Sequence, residues 1–105
     1  MTPEDTSEVE ELEIEEFAKK GGTEPAPKAK RYIIRIDKTK FTVTTPTMTG
    51  KAILELAGKV PPSAYKLTLK RHGGAAESID LEQVVDFRAP GVERFMTMKR
   101  DQTEG

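Results

Sequence analysis

Four stretches of the sequence carry groups whose type and spacing could do chemistry. "MTGKAILELAG" puts Gly50 and Lys51 at a helix start, where backbone N–H groups and an ammonium could hold a phosphate. The glycine such a loop needs five residues earlier is replaced by Thr45, and Ala52 stands where a magnesium-binding Ser or Thr is required. Helix capping explains the motif better. "RHGGAAE" sets His72 beside two glycines, a possible acid or base on a loop, but no orienting partner can be named from the sequence and a hairpin turn accounts for the glycines. Lys66, Lys70 and Arg71 form a basic stripe whose one neighbouring aromatic, Tyr65, points the other way, so nucleic acid is not an expected partner. The fourth stretch is "MKRDQTEG", a polar run that closes on Gly105 and brings a backbone carboxylate to its tip.

Composition removes other chemistries. The 105 residues include no cysteine, which excludes a disulfide framework, a thiol nucleophile and a cysteine metal site, and the single His72 leaves too few soft ligands for zinc. An enzyme is not expected, nor is a cofactor or metal. No run approaches the ~18 apolar residues of a membrane helix, and "MTPEDTSEVEE" is acidic where a signal peptide is basic and then apolar. The expectation is therefore a cytoplasmic protein with no membrane contact. Net charge is -1, unevenly spread: residues 1–16 hold eight acids and no Lys or Arg, whereas residues 31–105 hold thirteen basic and nine acidic residues.

The elements that would position these groups follow from patterning. Residues 1–30 have few bulky apolar side chains and a Gly-Gly, Pro-x-Pro, Lys/Ala stretch, and read as a disordered acidic arm with a linker. Val9, Leu12, Ile14 and Phe17 could line a short helix only imperfectly; the segment is either a docking element that orders on a partner or a solvated tail. From Arg31 the chain reads as a folded body. "RYIIRID" and "FTVTTP" flank a "DKTK" turn as a hairpin, and Pro46 ends its second strand. Thr49 is an N-cap candidate for a helix of two to three turns carrying Ile53, Leu54, Leu56 and Ala57, with Gly58 at the C-terminal cap and "VPPS" beyond it. "AYKLTLKR" alternates as a strand, "SIDLEQVVDF" reads as a small strand at Ile79 and a turn over Leu81 to Val85, and "VERFMTMKR" is the last strand.

This order folds as an α+β body with one mixed sheet of four to five strands and a helix across one face, the β-grasp arrangement. Its predicted core is Ile34, Ile36, Val43, Ile53, Leu54, Ala57, Leu67, Leu69, Val85 and Phe95. If Phe95 and Thr97 face inward, Met96 and Met98 stand outward beside Lys66 and Thr68. With Lys70, these residues make a candidate partner-binding surface, since the methionine thioether repacks readily; the opposite phase would expose Phe95.

The residues "YIIRIDKTKFTV", "TGKAILELAGKVPPSAYKL" and "PGVERFMTM" resemble the bacterial multiubiquitin family of ubiquitin-like domains over residues 31–99. The resemblance is most specific in "TG-x-x-IL-x-LAG-x-x-P" from Thr49 to Pro62 and "PG-x-x-x-F" from Pro90 to Phe95. It implies a protein modifier, encoded in relatives beside ubiquitin-activating-like and conjugating-like enzymes and deubiquitinase-like metalloproteases, some of them in defence against phage. The partners implied are those enzymes and the target proteins. On this reading residues 100–105 are a flexible tail, Lys99, Arg100, Asp101, Gln102, Thr103 and Glu104 thread the activating enzyme, and Gly105 is the conjugated residue. Lys51, Lys59 and Lys70 are the lysines considered as acceptors of a further copy. Modifiers of this type commonly end in two glycines, and here Glu104 precedes Gly105. A sulfur carrier of the same fold and a non-conjugated interaction module are the alternatives.

Overall fold

A computed structural model describes residues 9–21 and 26–100. The body begins with β2 (Ala29–Ile36) and β3 (Thr39–Val43), an antiparallel hairpin in which Tyr32 faces Val43 and Ile34 faces Phe41. Period-two patterning puts Tyr32, Ile34 and Ile36 on one side, each about 1% exposed. A short strand β4 (Thr47–Thr49) leads into α2 (Gly50–Leu56), whose N-cap Thr49 accepts a hydrogen bond from the Ala52 N–H at 3.1 Å. Gly58 closes the helix at φ +78°: its N–H donates to Glu55 O and that of Lys59 to Leu54 O, a pairing that satisfies the last carbonyls. A single 3-10 turn over Pro62–Ala64 then delivers β5 (Tyr65–Arg71).

Two strands lie where the sequence suggested one strand and a turn: β6 (Ala76–Ile79) pairs with β5, and β7 (Val84–Asp86) pairs with β4 in a separate two-stranded sheet. The last strand, β8 (Val92–Lys99), runs antiparallel to β5 and meets β2 in parallel at Ile36–Phe95. Helix α2 contributes Ile53 and Leu54, both 0% exposed, to a core with Leu67, Leu69 and Phe95. The fold is thus α+β and ubiquitin-like, as expected, with Phe95 inward and the methionines on the opposite phase, but the main sheet has six strands where four to five were expected, because residues 9–13 add one at its edge. Ala57 is only partly buried. The core also takes Tyr32, Phe87 and Val92: Phe87 meets Phe95 edge-to-face at 6.0 Å, and the Tyr32 hydroxyl accepts a hydrogen bond from the Ala29 N–H.

The N-terminal segment differs from its expected disorder. Val9–Glu13 forms β1, parallel to the first half of β2, and Ile14–Gly21 forms α1. Acidic composition argued for a solvated arm. The compensating cations lie on β2, β3 and β8, so the neutralisation that lets this segment fold is a long-range pairing that local patterning does not display. Residues 1–8 and 22–25 of the expected arm lie outside the described residues.

Candidate functional site: the second sheet face and the C-terminal neck

With Ile34, Ile36, Leu67, Leu69 and Phe95 committed to the α2 side, alternation sends Arg35 of β2, Lys66, Thr68 and Lys70 of β5, and Arg94, Met96 and Met98 of β8 to the second face. The register places Lys66 opposite Met98 and Thr68 opposite Met96. A slip between Lys70 and Arg71 leaves β8 one residue longer than its partner, the local signature of a β-bulge, and Glu93 reaches Lys70 there.

Helix α1 lies against β8 and β2 and covers one end of this face. Its Ile14 and Ala18 are 2% and 3% exposed. Between them Glu15, also buried, accepts hydrogen bonds from Arg35 Nη1 at 3.0 and 3.1 Å, with Arg94 Nη1 at 3.7 Å and Lys19 Nζ at 3.6 Å. Glu15 and Glu16 in the first turn of α1 and Lys19 and Lys20 in the last also match the helix dipole. A second buried acid, Glu93, accepts from Lys70 Nζ at 3.0 Å and lies 3.4 Å from His72 Nδ1. Burial, the largest influence on Glu93, pushes its pKa up. Hydrogen bonds from Lys70 and His72, with the charges of Lys70 and Lys19, together outweigh it and hold the carboxyl below the usual glutamate range.

The expected partner surface therefore divides. Lys66 is exposed, Met98 is 68% exposed, and Thr68 and Met96 are half-buried, whereas Lys70 is engaged by Glu93. A cleft lined by Arg35, Asp37, Lys38, Arg94 and Met96 lies on the same face. Sequence reasoning missed Glu15, Arg35, Arg94, Glu93 and Asp37. The outward phase of Arg35 and Arg94 was readable from their alternation with core residues; their acidic partner was not.

The neck of the tail is fastened. Tyr65 pairs with Lys99, the Arg100 N–H donates to Ala64 O at 2.8 Å, and Arg100 Nε donates to Tyr65 O at 3.2 Å. Lys99 and Arg100, expected within a free thread and, for Arg100, a flexible tail, are thus strand and strand extension: the pairing with β5 continues past Phe95, the last core residue of β8, to Lys99, and the Arg100 N–H adds one more rung. Asp101, Gln102, Thr103, Glu104 and Gly105 lie outside the described residues. Asp37 clamps the same strand from the hairpin turn, its carboxylate accepting from Thr97 N–H at 2.8 Å and from Thr97 Oγ1 at 2.6 Å.

The other candidates resolve into packing. The first N–H groups of α2 are already used: Gly50 donates to Gln83 O and Lys51 to Leu81 O. A Cβ on Gly50 would stand 2.3 Å from Asp80 O, so glycine is required for close approach rather than for an anion. His72 does have a partner in Glu93, and among the described residues no group of three or more His, Cys, Asp or Glu could hold a metal. Of the three lysines considered as acceptors, Lys51 is exposed, Lys59 lies over the Tyr65 ring at 5.8 Å, and Lys70 is paired. No helix among the described residues is long and apolar enough to cross a membrane.

Comparison with known protein families matches residues 32–100 to the multiubiquitin family. No curated protein and no solved structure matches the chain. The match begins at β2 and runs through the neck, taking in the whole grasp body and leaving β1 and α1 outside it. The chain belongs to the multiubiquitin family of ubiquitin-like domains.

Proposed function

We propose that this chain is a ubiquitin-like protein modifier, joined to targets through the carboxylate of Gly105. The observation that carries the reading is the family match over a body whose last strand ends in a surface neck at Lys99 and Arg100, directly ahead of the four residues that lead to Gly105. In the proposed reaction the Gly105 carboxylate attacks the α-phosphate of ATP and releases pyrophosphate. The acyl adenylate passes to a nucleophilic side chain of an activating-like enzyme, releasing AMP. An amine or hydroxyl of the target, delivered by a conjugating-like enzyme, then displaces that side chain. Glycine suits the reacting position because it adds no side chain beside the attacked carbonyl and leaves φ/ψ free for threading. The chemistry is the same whether Gly105 is encoded as the end or uncovered by a peptidase, and a deubiquitinase-like metalloprotease would reverse it. The setting proposed is a cytoplasmic bacterial conjugation pathway, with defence against phage as its role. The open end of the second face, with Lys66, Thr68, Met96 and Met98, is the surface proposed for the handling enzymes.

Incubating the protein with ATP, magnesium and an activating-like enzyme encoded beside a multiubiquitin-family domain tests this reading. An adenylate or covalent adduct on Gly105, seen by mass spectrometry, is the expected result, and replacing Gly105 with a bulky residue should abolish it without altering the thermal melt. Sulfur incorporation would instead identify a carrier. No reaction at all would leave an interaction module and overturn the assignment.

A further inference from the structure

We infer that the covered end of the second sheet face is a docking site for an acidic amphipathic helix, and that β1–α1 is a built-in occupant which a partner helix of the same chemistry displaces. The inference rests on this face being a docking surface and not on any chemistry at Gly105.

The face is basic and fitted. Arg35 and Arg94 converge on one carboxylate, that of Glu15, at 3.0 and 3.7 Å, and the residues flanking it on the helix, Ile14 and Ala18, are 2% and 3% exposed. A ligand for this site is thereby described by its own occupant: a short helix with an apolar residue, then a glutamate, then a small residue one turn on, and acidic residues before it. Glu10, Glu11 and Glu13 of β1 add pairs with Lys30, Arg31 and Lys40, so the acidic approach to the helix is matched by cations along β2 and β3. The cleft of Arg35, Asp37, Lys38, Arg94 and Met96 gives a longer helix somewhere to continue.

Three observations point to a displaceable cover rather than a fixed wall. The multiubiquitin match starts at residue 32, so the occupant is an addition to the domain that the family shares. The helix is eight residues long, too short to persist on its own in water, and most of the ion pairs holding β1 are between exposed side chains. The sequence Gly-Gly-Thr-Glu-Pro of residues 21–25 leads to Ala26, which is buried and bonded to Arg88 through both its N–H and its carbonyl, so the segment stays tethered when it lifts and competes at an effective concentration on the order of millimolar.

The test uses the full chain and a fluorescently labelled synthetic peptide of residues 9–21 as the probe, followed by anisotropy. In the wild-type protein the attached segment should exclude the probe. Glu15→Lys should repel the segment from Arg35 and Arg94 and admit the probe with at least tenfold lower Kd; Ala18→Asp, which disrupts the buried helix face by a different route, should do the same. Adding Arg35→Glu to either open variant should weaken probe binding at least tenfold, and a scrambled peptide should not bind. Equal affinity of wild type and open variants for the probe, or equal binding of the scrambled peptide, would overturn the inference. So would a collapse of the dispersed amide spectrum of β2, β5 and β8 in both open variants, because β1–α1 would then be a structural part of the body and not a cover.

Discussion

Asp37 occupies the left-handed region at φ +58°, where only glycine is free of steric cost and Asn and Asp are the most tolerant of the rest. Its carboxylate uses that conformation to hold both the N–H and the hydroxyl of Thr97. Asp37→Ala keeps the unfavourable φ and loses both bonds, and should cost about 1–3 kcal/mol, whereas Asp37→Asn retains an acceptor and should cost less than about 1 kcal/mol. Urea midpoints at unchanged m-value check the pair. Glu93 makes a pH-dependent contribution whose sign follows from its lowered pKa. The ionised form is favoured in the folded state, so the stabilisation is complete above the unfolded glutamate value of ~4.3 and is lost as pH falls through the lower folded value. Glu93→Gln should therefore destabilise the protein by about 1–2 kcal/mol at pH 7, and the gap to wild type should narrow by pH 3. A gap that stays constant between the two pH values would show that the acid's charge is not what Lys70 and His72 are there to meet.

At the scale of elements, α2 was legible because everything that defines it is local: Thr49 caps it, Ile53 and Leu54 face inward, and Gly58 ends it. Gly50 looked chemical for the same reason that it is structural, since both a phosphate and a neighbouring backbone require the missing Cβ. Gly50→Ala should shift the Asp80 carbonyl and cost about 1–3 kcal/mol, while exposed Lys51→Ala should stay within about 0.5 kcal/mol of wild type and leave phosphate binding at background. The strand at Val84–Asp86 escaped because its pairing partner, Thr47–Thr49, is a three-residue strand with no alternation to read. Helix α1 escaped for a different reason: its apolar stripe is thin, and the charge that would forbid burial is cancelled by Arg35 and Arg94, far off in sequence. Its backbone should nevertheless be the least protected helical or strand segment with buried side chains. Hydrogen exchange of the intact chain is expected to be at least tenfold faster in Ile14–Lys20 than in β2 or β5, since a helix of two turns has few internal hydrogen bonds to break and opens locally.

Across the whole molecule, the two halves of the grasp were readable because the long strands β2, β5 and β8 alternate and the helix between them demands a crossover. What the sequence left open was which face would be covered, a property of how distant elements meet. The second face carries Lys66 and Met98 in the open and Arg35 and Arg94 beneath α1, with Met96 half-buried between them, so a surface that reads as one stripe along the strands is two surfaces in the fold. The residues proposed for activation divide in the same way, with Lys99 and Arg100 held by β5 and Asp101 to Gly105 following them.

The bond from Arg100 to Ala64 sets a limit on depth. Five residues extend at most ~18 Å, so for the proposed activation an enzyme whose ATP lies deeper than that below its entrance can be served only by unzipping the final rung beside Tyr65. A shallower enzyme must bring its rim up against the body itself, where Ala64, Tyr65 and the Lys59 ammonium resting on the tyrosine ring would be the first groups it meets.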